Sequence, residues 1–190
     1  MTARRSDLAD LGQRLAPKAT WGDLALPQEV RRQLRTISER VGRAREGAGD
    51  GDHSPGFVAL FSGPSGTGKT LAAEALAAAV GSDLLQVDLA RLAETYIGET
   101  EKNLGRLFAA AEGAGVVLFF DEADALFGRR SEVRDSHDRY ANIEVSYLLQ
   151  RLETYRGLAI LASNSAQALD PARLPRVAFA VDFPDCERAG

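Results

Sequence analysis

Apolar and polar residues alternate along this chain in two distinct ways. Short, mainly apolar runs occur at Phe57 to Phe61, Leu84 to Val87, Val116 to Phe120, Leu158 to Ala162 and Val177 to Phe183, the first, third and fourth without a polar residue. Runs this short, without polar alternation, predict strands buried on both faces. Between them the spacing is helical. Gln28 to Arg45 places Val30, Leu34, Ile37 and Val41 on one face, and Lys69 to Val80 is rich in Ala and Leu before a stop at Gly81. Glu101 to Glu112 turns Leu104, Leu107, Phe108 and Ala111 inward ahead of Gly113, and Asp138 to Tyr155 aligns Tyr140, Ile143, Tyr147, Leu148 and Leu152. One apolar stripe per helix and a glycine at the end are the marks of helices packed against a core. Strands alternating with helices predict an α/β fold with a parallel sheet covered on both sides. Gly47 to Gly56 reads as loop. Met1 to Pro17 is polar with a weak Leu8, Leu11, Leu15 spacing, expected as a loose helix or tail. There is no internal repeat.

Composition narrows the class. The 190 residues suit one domain with a short appendage. Lys and Arg number 23 against 27 Asp and Glu, a net charge of −4, so no bulk field favours nucleic acid. No apolar run approaches the ~20 residues of a membrane-spanning helix, and the N-terminus is too polar for a secretion signal. One cysteine and two histidines leave little for a disulfide framework or a zinc site. A cytoplasmic protein is expected.

Candidate chemistry begins at Gly63-Pro64-Ser65-Gly66-Thr67-Gly68-Lys69-Thr70, which fits G-x-x-x-x-G-K-[ST]. Glycines let consecutive amides turn inward around an anion, and the helix that follows adds its unpaired amides and dipole. Lys69 is placed to reach the β- and γ-phosphates, and the Thr70 hydroxyl to ligate Mg²⁺. A chance Gly-rich turn is the alternative, and the apolar strand before it and helix former run after it oppose that reading.

Asp121 and Glu122 follow the most hydrophobic run, at the carboxyl end of a central strand, the edge where open α/β sheets bind ligands. Asp121 is expected to hold Mg²⁺ directly or through water. Glu122 then stands where a water attacking the γ-phosphate needs a base or an orienting group. Alone, the pair would read as a helix cap; beside the phosphate loop it favours hydrolysis. Asp124 either supports this site or starts a helix. Asn164, after Leu158 to Ser163, is either a turn residue or an amide that donates to the γ-phosphate and accepts from the water.

Gly63 to Thr70, Leu118 to Arg130 and Ile160 to Asn164, in that order and spacing, resemble the AAA+ ATPases, specifically the AAA-type core. The resemblance covers Trp21 to Asp185 and extends to Tyr96 to Leu104 and Arg130 to Glu153. It implies a three-layer P-loop NTPase fold on a central parallel five-stranded sheet, with residues 1–20 as tail, 21–185 as core and 186–190 as a second tail. The family's helical lid is expected to be absent. Asp121 and Glu122 match Walker B, and Asn164 matches sensor 1. The resemblance implies ATP with Mg²⁺ as cofactors, contacted by Gly63 to Leu71 and by Asp23. Trp21 is either part of that adenine contact or a plain hydrophobic anchor. Tyr96-Ile97-Gly98 matches an aromatic–aliphatic–glycine pore loop that grips extended polypeptide, the alternative for Tyr96 being a core tyrosine. Arg176 matches an arginine finger supplied to a neighbouring subunit. Pro175 departs from the usual arginine pair, and Arg173 is either a substitute or a surface charge. The implied function is Mg-dependent ATP hydrolysis in a homo-oligomeric ring, a hexamer if the lid is supplied or dispensable, that remodels or threads a protein. The alternatives are a non-catalytic nucleotide switch or assembly module, and a nucleic-acid motor, which the net charge and the Tyr96 loop disfavour.

Overall fold

Every apolar run becomes a strand, with bounds within one residue of the run. In the computed structural model, which describes residues 12–47, 56–89, 100–124, 136–164, 169, 174 and 176–185, these are β2 (Phe57–Ser62), β3 (Leu84–Asp88), β4 (Val117–Asp121), β5 (Leu158–Ser163) and β6 (Val177–Asp182). The helical stretches become α1 (Gln28–Gly47), α2 (Lys69–Ala79), α3 (Thr100–Ala114) and α4 (Ser136–Thr154). α3 runs through Gly113 and ends at Ala114, followed by Gly115 at φ 63°.

The five strands pair in parallel, and a sixth strand, β1 (Gln13–Leu15), adds antiparallel to β3, giving the order β1-β3-β4-β5-β2-β6. The expected five-stranded parallel sheet is therefore present with one additional edge strand. β1 falls within the stretch read as loose helix or tail. Its formation rests on tertiary pairing. A Cβ at Gly12 would stand 2.7 Å from the Gln86 carbonyl oxygen, so only glycine allows this approach. Arg14 Nε donates to Asp83 at 2.7 Å and fastens the strand.

Side chains on the two sheet faces feed separate cores, which makes the molecule three layers deep. On one face Val58, Leu60, Leu85, Leu118, Phe120 and Leu161 pack with Leu104, Leu107 and Phe108 of α3 and Leu148 and Leu152 of α4. On the other, Ala59, Phe61, Phe119, Ile160 and Ala162 pack with Val30, Leu34, Ile37 and Val41 of α1 and Ala72, Ala73 and Leu76 of α2. The strand order matters most for function. β5 lies between β4 and β2, so the chain ends after β2, β4 and β5 meet at one sheet edge. Among the described residues no helix is long and apolar enough to cross a membrane.

Candidate functional site

Two chain reversals and the end of β5 build the site at that carboxyl edge. The first follows β2. Gly63 has φ 144° and its amide donates to the Ser163 oxygen at 3.2 Å, while Gly66 and Gly68 take φ 81° and 92°. These left-handed positions curl residues Gly63 to Gly68 into a loop whose Thr67 hydroxyl donates to the Pro64 oxygen at 2.8 Å. α2 starts at Lys69, so its first amides have no partner four residues back inside the helix. They face the loop with the positive end of the dipole.

Lys69 is 6 % exposed, and its Nζ donates to the Gly63 oxygen at 2.6 Å, the Pro64 oxygen at 2.8 Å and Asn164 Oδ1 at 3.1 Å. Burial lowers the pKa of this ammonium, and the carboxylates of Asp121 and Asp124 act in the opposite direction. Sensor candidate and loop lysine are thus in direct contact, as a strand lying between the other two requires.

The second reversal follows β4. Asp121 ends the strand, Glu122 takes φ 50°, and the Ala123 amide donates to the Ala162 oxygen at 2.9 Å, tying the turn to β5. A left-handed conformation in a glutamate carries strain of about 1–2 kcal/mol, and it leaves the exposed Glu122 side chain at the sheet edge. Asp121 Oδ1 accepts from the Glu122 amide at 3.0 Å, and Oδ2 accepts from Gln86 Nε2 at 3.3 Å. Gln86 has no place in the sequence argument; its signal is a single amide inside the apolar run LLQVD. One oxygen of Asp124, Oδ1, is buried with no hydrogen-bond partner.

Thr70 and Leu71 are both exposed in the first turn of α2. Leu71, at 39 %, is the exposed large hydrophobic residue among the described residues. The segment ahead of α1 leans on the same helix: the amides of Lys18 and Ala19 donate to Glu74 Oε1 at 2.7 and 3.1 Å. Trp21–Asp23 forms a short 3-10 turn on that segment. Asp23 Oδ2 accepts from the Thr20 hydroxyl and amide, both at 2.7 Å, which holds its carboxyl below the usual range. The carboxylate is occupied locally, and Trp21 packs partly against the core. Arg176 is not at this edge. It precedes β6, with φ 56°, and its Nη1 donates to the Glu153 carbonyl. Tyr96, Ile97 and Gly98 lie outside the described residues, as do Arg173 and Pro175.

The residues present fit a magnesium-bound nucleoside triphosphate. Glycine-turned amides and a helix N-terminus suit phosphate. Thr70 and Asp121 offer hard oxygen donors, and Asp124 has an unsatisfied oxygen nearby in the field of Lys69. Among the described residues no cluster of three His, Cys, Asp or Glu could hold a metal unaided. One or two protein oxygens completed by phosphates and water is how Mg²⁺ is commonly bound. A cavity of about 690 Å³ opens at the opposite sheet edge, lined by Arg45, Glu112, Arg151 and Tyr155 among others. Arg45 there donates to the Val80 oxygen at 2.9 Å and the Ser82 hydroxyl at 2.6 Å, engaged in capping α2.

Comparison with known proteins agrees with this geometry. Residues 59–185 match the model of the "ATPase family associated with various cellular activities (AAA)". The chain is 36 % identical over 166 residues to an uncharacterised AAA family ATPase of Sinorhizobium fredii, covering 86 % of this chain and 49 % of that protein. It is 33 % identical over 177 residues to the ribosome biogenesis ATPase RIX7 of Saccharomyces cerevisiae, covering 91 % of this chain and 20 % of that protein. It is 36 % identical over 138 residues to the yeast 26S proteasome subunit RPT4, covering 69 % and 32 %. The chain thus spans about half the length, or less, of these relatives. A crystal structure of the FIGL-1 AAA domain superposes with a TM-score of 0.71 over 95 % of this chain and 61 % of that one, at 24 % identity.

Proposed function

The chain belongs to the AAA family of ATPases, and from that premise we propose that it binds Mg·ATP at the carboxyl sheet edge and hydrolyses it. The contact between Lys69 Nζ and Asn164 Oδ1 carries this reading. It joins the phosphate loop to the neighbouring strand beside Asp121 and Glu122, so one γ-phosphate can touch all of these groups. Gly63 to Leu71 would cradle the nucleotide, and Leu71 supplies apolar surface for it to cover. Asp23 lies on the turn that leans against α2, where backbone groups would meet the base. Thr70 and Asp121 would hold Mg²⁺, which when bound neutralises developing phosphate charge. Lys69 offsets charge on the transferring phosphoryl group. Glu122 orients and deprotonates the attacking water, and Asn164 positions it against the γ-phosphate.

The work done by this cycle is proposed to be remodelling or threading of a protein by a ring of copies, in the cytoplasm. Relatives named for the proteasome and for ribosome biogenesis support a protein-directed role. Tyr96-Ile97-Gly98 would grip the polypeptide, and Arg176 would complete the neighbour's site.

Glu122→Gln is the direct test. ATP binding is expected to persist while turnover falls by ~10²–10⁴-fold. Wild-type hydrolysis in that variant would remove Glu122 from the mechanism. Near-zero ATPase activity of the wild type at every protein concentration, with tight binding, would favour the nucleotide-switch alternative.

A further inference from the structure

Asp121 is the carboxylate through which the proposed site meets its metal, and its two oxygens are held differently. Oδ1 accepts from the amide of the next residue, a contact built into the turn itself. Oδ2 accepts from Gln86 Nε2, across the β3–β4 ladder. The register explains the reach. Gln86 lies opposite Phe119 and Asp88 opposite Asp121, so Gln86 and Asp121 stand two positions apart on the sheet face that carries α2. Both side chains are half-buried.

The residue type fits a supporting task. An amide donates a hydrogen bond without neutralising the carboxylate. A lysine or arginine at the same place would pair with Asp121 and compete with a divalent cation. A leucine would leave Oδ2 without this donor and the carboxylate held through Oδ1 alone. Gln86 is supported in turn: its backbone pairs with Gln13 of β1, Gly12 closes over its carbonyl, and Arg14 holds β1 through Asp83 at 2.6 Å. The edge strand, the glutamine and the aspartate form one chain of contacts ending at the candidate metal site.

We infer that Gln86 is a positioning residue that fixes the orientation of the Asp121 carboxylate through its Oδ2 and thereby sets the affinity of the nucleotide site for its divalent cation. The inference rests on the Mg·ATP reading above.

Its test uses the full chain and a fluorescent ATP analogue, titrated with Mg²⁺ and separately in EDTA, with the melting temperature recorded alongside. Gln86→Met, similar in size but without the donor, is expected to raise the Mg²⁺ concentration for half-maximal enhancement of binding by about 10–100-fold, the usual effect of removing an outer-sphere partner. Affinity in EDTA and the melting temperature are expected to stay at wild-type values. Gln86→Asn, one methylene too short to span the contact, is expected to behave like Gln86→Met and covers the case in which that variant folds poorly. Gln86→His, whose ring N–H can donate, is expected to recover part of the loss. A wild-type Mg²⁺ midpoint in the Met and Asn variants, with the wild type itself showing Mg-dependent binding, would overturn the role of Gln86 alone. Equal loss with Mg²⁺ and in EDTA would also overturn it, as a general structural effect. A wild type that binds no nucleotide under either condition would overturn the Mg·ATP reading itself.

Discussion

An ammonium enclosed by two loop carbonyls and an amide oxygen is well hydrogen-bonded yet poorly hydrated, and Lys69 shows the consequence. Burial lowers its pKa more than Asp121 and Asp124 raise it. A lysine whose folded-state pKa lies below its unfolded value holds its proton less tightly in the native protein. Its charge therefore costs stability below the folded-state pKa, and that cost fades as pH rises through it toward the ordinary value of 10.5. At neutral pH, Lys69→Met is expected to abolish ATP binding while leaving the melting temperature at or above wild type. A drop of several degrees, measured by thermal melting, would show that the hydrogen bonds to Gly63, Pro64 and Asn164 outweigh the desolvation. The same asymmetry explains why the residue motif was readable. A lysine after Gly66-Thr67-Gly68 makes little sense as structure and good sense as a phosphate ligand. Gln86 had no such signal, because an amide in a strand advertises its partner only after pairing is known.

The strand-to-loop junction after β2 is set by backbone geometry more than by side chains. Gly63 sits at φ 144°, and a Cβ there would come 2.2 Å from the Phe183 carbonyl oxygen, next to the bond from the Phe183 amide to the Ser62 oxygen at 2.7 Å. Gly63→Ala is therefore expected to destabilise the fold by roughly 2–3 kcal/mol in urea denaturation, through strain and the loss of β2–β6 pairing near the loop. A change below ~0.5 kcal/mol would mean the junction can yield. Elements whose identity is local were legible: the Val30, Leu34, Ile37, Val41 stripe of α1 and the apolar runs of β2 and β4 announce themselves by spacing, and all of these residues except the half-buried Phe57 are buried. β1 was not legible. Three residues carry no periodicity, and the Leu8, Leu11, Leu15 spacing suggests a helix, whereas Gln13–Leu15 is a strand only because β3 offers an edge and Gly12 permits the approach. At the amino edge, Tyr155 was read only as the end of a helix. It is 2 % exposed, donates to the Val116 oxygen at 3.0 Å, and has its pKa pushed up by burial.

Across the whole molecule, the sheet separates Arg176 from the phosphate loop of its own chain. Val177 pairs with Val58 at the start of β2 and Asp182 with Ser62 at its end, so Arg176 and the phosphate loop lie at opposite sheet edges. Five strand residues at ~3.3 Å each put them on the order of 17 Å apart. No side chain of this length bridges that gap while its own Nη1 is bonded to Glu153. If Arg176 serves catalysis, it does so in a second copy arranged head to tail, where the amino edge of one subunit meets the carboxyl edge of the next. That arrangement has a distinctive readout. Arg176→Ala and Glu122→Gln are each expected to be inactive alone, by up to ~10³–10⁵-fold for the arginine. Mixed in equal amounts, they are expected to regain part of the wild-type rate. Some junctions then join the intact Glu122 of one variant to the intact Arg176 of the other. Recovery is expected to rise with total protein concentration, because it depends on assembly. A mixture that stays inactive while both variants co-assemble would reject the shared site, and full activity of Arg176→Ala by itself would reject this arginine as its contributor.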